Sequence, residues 1–294
     1  MIRPKNFGFN EQTSTSNVFQ QKNDLANNDN ALAEFDEMVR LLRSFKINVV
    51  VFDDTVAPIK PDAVFPNNWI STHDDGTVVL YPMMAENRRY EVRPELMEQL
   101  SKKYDIKRIL DLSYQAATGK FLEGTGSIVF DHANRIAYAC ESPRTNADLL
   151  SKLCRELDYD IVGFRASDLK GIDVYHTNVV MTLCDDYAII CSESIDDPIE
   201  RKMLLNQISK SRVCIEISRK QMYGFAANGF GVLDADHDHN LVISRTAFEN
   251  LSKDQIAVIE KYSKIVVVDI PNIESMGGGS ARCMITGIHL PEIS

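Results

Sequence analysis

The chain has 294 residues, 44% of them hydrophobic and 25% charged, as in an ordinary globular protein. A formal charge of −10 and a pI of ≈ 5.1 argue against nucleic acid or an anionic membrane as partner, leaving room only for a local basic pocket that takes a small anion. No run approaches the ~18 apolar residues of a membrane span, MIRPKNFGFNEQTSTSN has no apolar signal core, and six scattered cysteines show no CxxC spacing, so a cytoplasmic protein with reduced thiols and one domain over 1–294 is expected.

The predicted elements repeat roughly every 50 to 58 residues. Helical periodicity marks 30–46, 93–104, 145–159, 197–211 and 244–263, with start signals at Asn30, Pro94, Pro198 and Ser244. After each helix comes a β-rich run: INVVVFD, IKRILDL, YDIVGFR, RVCIEIS and KIVVVDI. A polar or glycine-rich loop follows, and in four units a hairpin: NWISTHDDGTVVLYP, GSIVFDHANRIAYAC, NVVMTLCDDYAIICS and GFGVLDADHDHNLVIS. The fifth unit ends as GGGSARCMITGIHLPEIS, and its missing strand is expected from the N-terminal IRPKNFGFN. Five such units predict an α/β fold arranged as a pseudo-fivefold ring without linkers.

Asn67-Asn68, Glu123, His176, Asn228 and Cys283 fall at the same loop position in successive units, so the ring would bring them to one central site. A thiol becomes a good nucleophile as the thiolate, which a nearby positive group favours. His176 could serve proton transfer and Glu123 could anchor a planar N–H group. Singly, each has a plainer explanation: buried packing for a cysteine, a structural hydrogen bond for a histidine, a loop cap for the glutamate of EGTG. Their coincidence at equivalent positions favours a catalytic set. His73, His237 and His239 fall in hairpin turns and read as solvated turn residues rather than metal ligands, so neither a metal nor a cofactor is expected. Trp69 could line the pocket mouth or pack.

On these residues the sequence resembles the guanidine-modifying pentein superfamily, which includes arginine deiminases, dimethylarginine dimethylaminohydrolases and amidinotransferases. FLEGTG, YHTNVVM and GGGSARCM are similar to its carboxylate, histidine and cysteine segments. The resemblance implies a five-unit α/β propeller and a catalytic set of Glu123, His176 and Cys283. It further implies substrate contacts from Asp62, Asn67 and Asn68 in DAVFPNN, from Arg89 in NRRYE with Arg88 as rival, from Arg144 in SPRTN, and from Asn178. Asn68 and Asn178 stand where guanidinium binders carry Asp. Together with FPNNW, LEGTGS and YHTN this looks most like the citrulline-utilisation hydrolases, whose neutral ureido substrate suits amides better than carboxylates. Arginine or methylarginine is the alternative substrate, and a catalytically silent pentein acting as a binding protein is the remote one. The partner expected is a small amino acid, and a homodimer is left open.

Overall fold

The computed structural model describes residues 1–22 and 27–293. The strands in chain order are β1 (Ile2–Arg3), β2 (Phe52–Asp53), β3 (Ile70–Thr72), β4 (Thr77–Leu80), β5 (Arg108–Asp111), β6 (Ile128–Asp131) and β7 (Ile136–Cys140), then β8 (Asp160–Phe164), β9 (Met181–Leu183), β10 (Tyr187–Ile190), β11 (Val213–Glu216), β12 (Phe230–Leu233), β13 (His239–Ser244) and β14 (Lys264–Val268). Four sheets share one plan: β3-β4-β5, β6-β7-β8, β9-β10-β11 and β12-β13-β14. In each, an antiparallel hairpin is extended by a third strand parallel to its second.

A parallel pair needs a crossover, and helices supply it. Leu96–Leu100 joins β4 to β5, Ala147–Leu157 joins β7 to β8, and Pro198–Ile208 joins β10 to β11. The fifth sheet pairs β1 parallel to β2 across Asn28–Ser44, as the second and third strands pair in the other four, and among the described residues no strand of the C-terminal segment pairs with it. The middle strands β4, β7 and β10 are buried throughout, which explains their unbroken apolar runs, whereas β5 and β11 are largely exposed edges. Trp69 packs in the core beside Ile70, Leu80 and Leu96.

Three expectations were too regular. The 244–263 helix is two helices, Arg245–Asn250 and Lys253–Ile259, because Ser252 and Gln255 form a capping box that starts the second and leaves Leu251 extended. The 93–104 segment is helical only over Leu96–Leu100. Single helical turns, Pro66–Asn68, Gly124–Ser127 and Thr177–Val180, precede strands that were expected to start there, so NVV of YHTNVVM is a turn, and a similar turn, Ala281–Met284, carries Cys283. These turns pack on one another: Gly124–Ser127 touches Pro66–Asn68 and Thr177–Val180, and Pro66–Asn68 touches Ala281–Met284.

His237, at φ 63, sits in the β12–β13 turn, and His239 pairs with Asp185 at 3.2 Å. His73, His132 and His289 instead cluster between units. The His132 and His289 rings are 3.9 Å apart, and His132 Nδ1 lies 2.8 Å from the Tyr159 hydroxyl. Burial, reinforced by the neighbouring His289, draws His73 down to about 4 and His132 down to about 3. Unfolded histidines take up protons near pH 6.5 while these do not, so their contribution to stability falls as pH drops from about 6.5 towards 4, by at most ~1.4 kcal/mol per pH unit for each. A His132→Gln protein is therefore expected to lose less stability than the wild type between pH 7 and about pH 4.5. Urea midpoints at the two pH values measure it, and equal losses would show that His132 protonation is not coupled to folding.

Candidate active site

The turns ahead of the sheets bring Asn68, Glu123, His176, Asn228 and Cys283 together at one end of the first strands. Glu123 is wholly buried and its two oxygens are taken by three segments. Oε1 accepts from Met84 N at 3.0 Å, while Oε2 accepts from Arg144 Nη1 at 3.2 Å and lies 2.8 Å from His176 Nε2. Burial would raise this carboxyl, but Arg144, His176 and Arg88 outweigh it and hold it well below the usual carboxylate range. Burial pulls His176 down to about 4 in spite of Glu123, so the imidazole is neutral at pH 7. An ionised Glu123 needs a donor, which puts the proton on Nε2 and leaves Nδ1 as acceptor.

Close packing fixes this imidazole. A Cβ on Gly126 would lie 2.8 Å from His176 Nδ1 and 2.4 Å from Asn68 Nδ2. Gly124, at φ +47, abuts the Asn67 carbonyl, where a Cβ would come within 2.4 Å. The EGTG pattern is thus a turn wedged between Asn67-Asn68 and His176, tied further by Thr125 Oγ1 to Asn67 O at 3.2 Å.

Cys283 is 4% exposed, on a turn closed by Cys283 N to Ser280 O at 2.9 Å. Its thiol donates to Asn228 Oδ1 at 3.5 Å and receives Asn178 Nδ2 at 3.6 Å, and Asn228 Nδ2 donates to Asn178 O at 2.8 Å. Burial pushes the thiol up, opposed by the Ser280 backbone contact, the two amides and Arg282.

Thr13, Asp62, Phe65, Asn68, Arg88, Arg144, Tyr175, His176 and Cys283 surround a cavity of ≈ 20 Å³, space for a water or two. Asp62 accepts from Asn10 at 2.8 Å and Thr13 at 3.2 Å and lies 3.7 Å from Arg88 Nε, with Oδ1 unpartnered. Burial raises this carboxyl against those contacts. Arg144 reaches Thr13 O and Ser16 Oγ and stacks over Tyr175 with its Nε free.

Of the expected substrate-binding residues, Arg89, Asn67 and Asn178 are not on the cavity wall. The Arg89 guanidinium binds the Met83 and Met84 carbonyls at 3.2 Å and sits 6.0 Å over Phe121. Arg88 lines the cavity instead, holding Glu91 at 2.8 Å and Asn68 Oδ1 at 2.9 Å. Asn67 is fully buried with both amide atoms unpartnered, off the cavity wall. Sequence reasoning missed residues 10–20, which close the cavity from outside. The signal was NEQTS, where Asn10 caps the Glu11–Ser14 turn. It also missed Tyr175, whose hydroxyl donates to Gly278 O at 2.9 Å. Among the described residues no cluster of three or more His, Cys, Asp or Glu could hold a metal ion, and no helix is long and apolar enough to cross a membrane.

The model of the family described as N,N dimethylarginine dimethylhydrolase, eukaryotic, matches residues 3–290. Among solved structures, the substrate-bound N-terminal domain of ArgZ, an arginine dihydrolase of the ornithine-ammonia cycle in cyanobacteria, is 17% identical, with a TM-score of 0.75 over 99% of this chain and 98% of that one. The apo ArgZ chain gives a TM-score of 0.76 at 17% identity over 98% of this chain, which spans 40% of that chain's length. A dimethylarginine dimethylaminohydrolase carrying an S-methyl-L-thiocitrulline adduct is 16% identical, with a TM-score of 0.67 over 96% of both chains. At these identities the likeness is one of fold. No match was found among curated proteins.

Gly126→Ala would force the Asn68 amide and the His176 ring apart. A misplaced imidazole is expected to lower kcat roughly 100-fold, with overpacking costing about 1–3 kcal/mol of stability. Steady-state kinetics beside a melting curve tests this, and wild-type turnover would show that the turn tolerates a methyl group.

Proposed function

The chain belongs to the N,N dimethylarginine dimethylhydrolase family, and on that premise we propose that it is a cysteine-dependent hydrolase of ureido C–N bonds whose substrate is citrulline. The observation that carries this is the balance of amides and charges around Cys283. One carboxylate, Asp62, lines the cavity against the guanidinium groups of Arg88 and Arg144. Asn68 Nδ2 on its wall stands unpartnered, as does Oδ1 of Asn178, whose amide nitrogen contacts Cys283 Sγ. Glu91 and Glu123 already answer those two guanidinium groups, so the amides decide: Asn68 Nδ2 is a donor that a substrate guanidinium, which has no acceptor, cannot satisfy, whereas a urea carbonyl can and its N–H groups can donate to Asn178 Oδ1.

In the proposed reaction Cys283 Sγ bonds to the ureido carbon while the thiol proton passes through His176 Nδ1 to the departing nitrogen. Glu123 holds the imidazole and balances its charge as it protonates. Loss of that nitrogen leaves a thiocarbamoyl group on Cys283. His176 then takes a proton from water, whose oxygen adds to the same carbon. The C–S bond breaks, and the carbamate released decomposes, so that citrulline and water give ornithine, ammonia and carbon dioxide. Arg88 and Arg144 would hold the amino-acid carboxylate. A cavity of ≈ 20 Å³ cannot admit citrulline, so residues 10–20 must lift for entry. The five sheets are interpreted as the blades of one pseudo-fivefold propeller domain. The contacts of β9 with both β6 and β12 support this.

An arginine or methylarginine guanidinium is the second candidate substrate, favoured by the free Oδ1 of Asp62. Assays with citrulline and arginine side by side are expected to show turnover of citrulline, with intact-mass trapping of a carbamoyl fragment on Cys283 that is absent from Cys283→Ser. Turnover of arginine with citrulline inert would overturn the substrate assignment. No covalent increment with either would favour a silent binding protein.

A further inference from the structure

A second cavity, ≈ 330 Å³, runs along the first strands, from Thr125, Met181 and Gly229 to the hairpin turns that carry Asp131, His132, Cys184 and Asp185. Its volume falls in the range of small-molecule sites, ~300–1,000 Å³. Of the two arginines on its wall one is compensated. Arg212 is paired to Asp131 at 2.5 and 3.0 Å, while the Asp185 carboxylate lies 3.2 Å from His239 Nδ1. The guanidinium of Arg282 has no carboxylate among the described residues. It gives one hydrogen bond, from Nη1 to Ile285 O at 2.9 Å, and lies 5.0 Å over the Phe230 ring. Thr286, on the same wall, has a buried hydroxyl with no partner. A desolvated cation without a counter-charge is costly, and burial draws Arg282 down to about 10.

We propose that this cavity is a regulatory site for a small oxyanion, a carboxylate or phosphate group carried by a metabolite, bound by Arg282 and Thr286, and that its occupancy slows Cys283. A planar guanidinium with free N–H groups takes such a group through charge-assisted hydrogen bonds. The coupling is short. Arg282 precedes Cys283 in the chain, its N–H donates to Asn228 O at 3.4 Å, and Asn228 Oδ1 accepts the thiol. Arg282 is a cation whose field favours the Cys283 thiolate. An anion on the guanidinium cancels that field, so less thiolate is present at a given pH.

The test needs no substrate, so its failure and that of the citrulline assignment are distinguishable. Iodoacetamide labelling of Cys283 is followed by peptide mass spectrometry at constant pH and ionic strength, with sodium chloride replaced by inorganic phosphate or by succinate. Saturable slowing of several-fold by at least one of them is expected, and whichever saturates at the lower concentration identifies the head group. Arg282→Gln should label slowly and ignore both anions. Thr286→Val, which keeps the guanidinium, should label like the wild type but need more anion. Slowing that does not saturate, or that chloride matches, would overturn the proposal. So would a wild-type response persisting in both variants, since the anion would then sit on Arg88 and Arg144.

Discussion

Glu123 carries a charge with none of its surface exposed. An unpartnered carboxylate so placed would cost several kcal/mol or more, or would take up a proton. Three segments answer that demand. Met84 brings a backbone N–H from beyond β4, Arg144 a guanidinium from beyond β7, and His176 an imidazole from the next unit. Each is held in turn: Met84 by Arg89 on its carbonyl, Arg144 by Thr13 and Ser16 of the N-terminal segment, and His176 by the packing of Gly126. Arg89, though away from the cavity, thus braces the strand end that keeps Glu123 ionised.

The Glu123–His176 hydrogen bond also decides which imidazole nitrogen is left as acceptor. With Nε2 committed to Glu123, the imidazole has only Nδ1 to offer as a base. Gly126 and Asn68 Nδ2 border that atom, so the amide and the base lie against a shared wall. In the proposed reaction, any group large enough to separate them would uncouple substrate orientation from proton transfer. Arg88 adds to the same wall by holding the Asn68 carbonyl oxygen, which turns Nδ2 away from it.

The Cys–His–Glu set was legible because an internal repeat converts equal loop positions into spatial neighbours, whatever the local conformation. That logic survives the finding that most of these loops are helical turns. It cannot separate Arg88 from Arg89. They lie in a 3₁₀ turn, Glu86–Glu91, where successive side chains diverge by about 120°, and only the tertiary contacts of Glu91 and Asn68 decide which one enters. Thr177–Val180 misled for another reason: its β-branched residues suit a strand, but packing against Gly124–Ser127 overrides propensity. Residues 10–20 were hidden because they stand outside the repeat and have no periodic apolar pattern.

In the proposed reaction, neutral partners at rest shape how Cys283 becomes a nucleophile. The cations nearest the cavity are already matched, Arg88 by Glu91 and Arg144 by Glu123, so their fields at Cys283 are largely offset. What remains is Arg282 and the two amides. Asn228 Oδ1 accepts the thiol's hydrogen bond, and Asn178 Nδ2 donates to sulfur and gains strength as the thiolate forms. A carboxylate at 178 would repel that thiolate. The asparagine therefore acts on both sides of the proposed reaction: it removes a negative charge that would select a cationic substrate, and it donates to the sulfur that must become negative to attack.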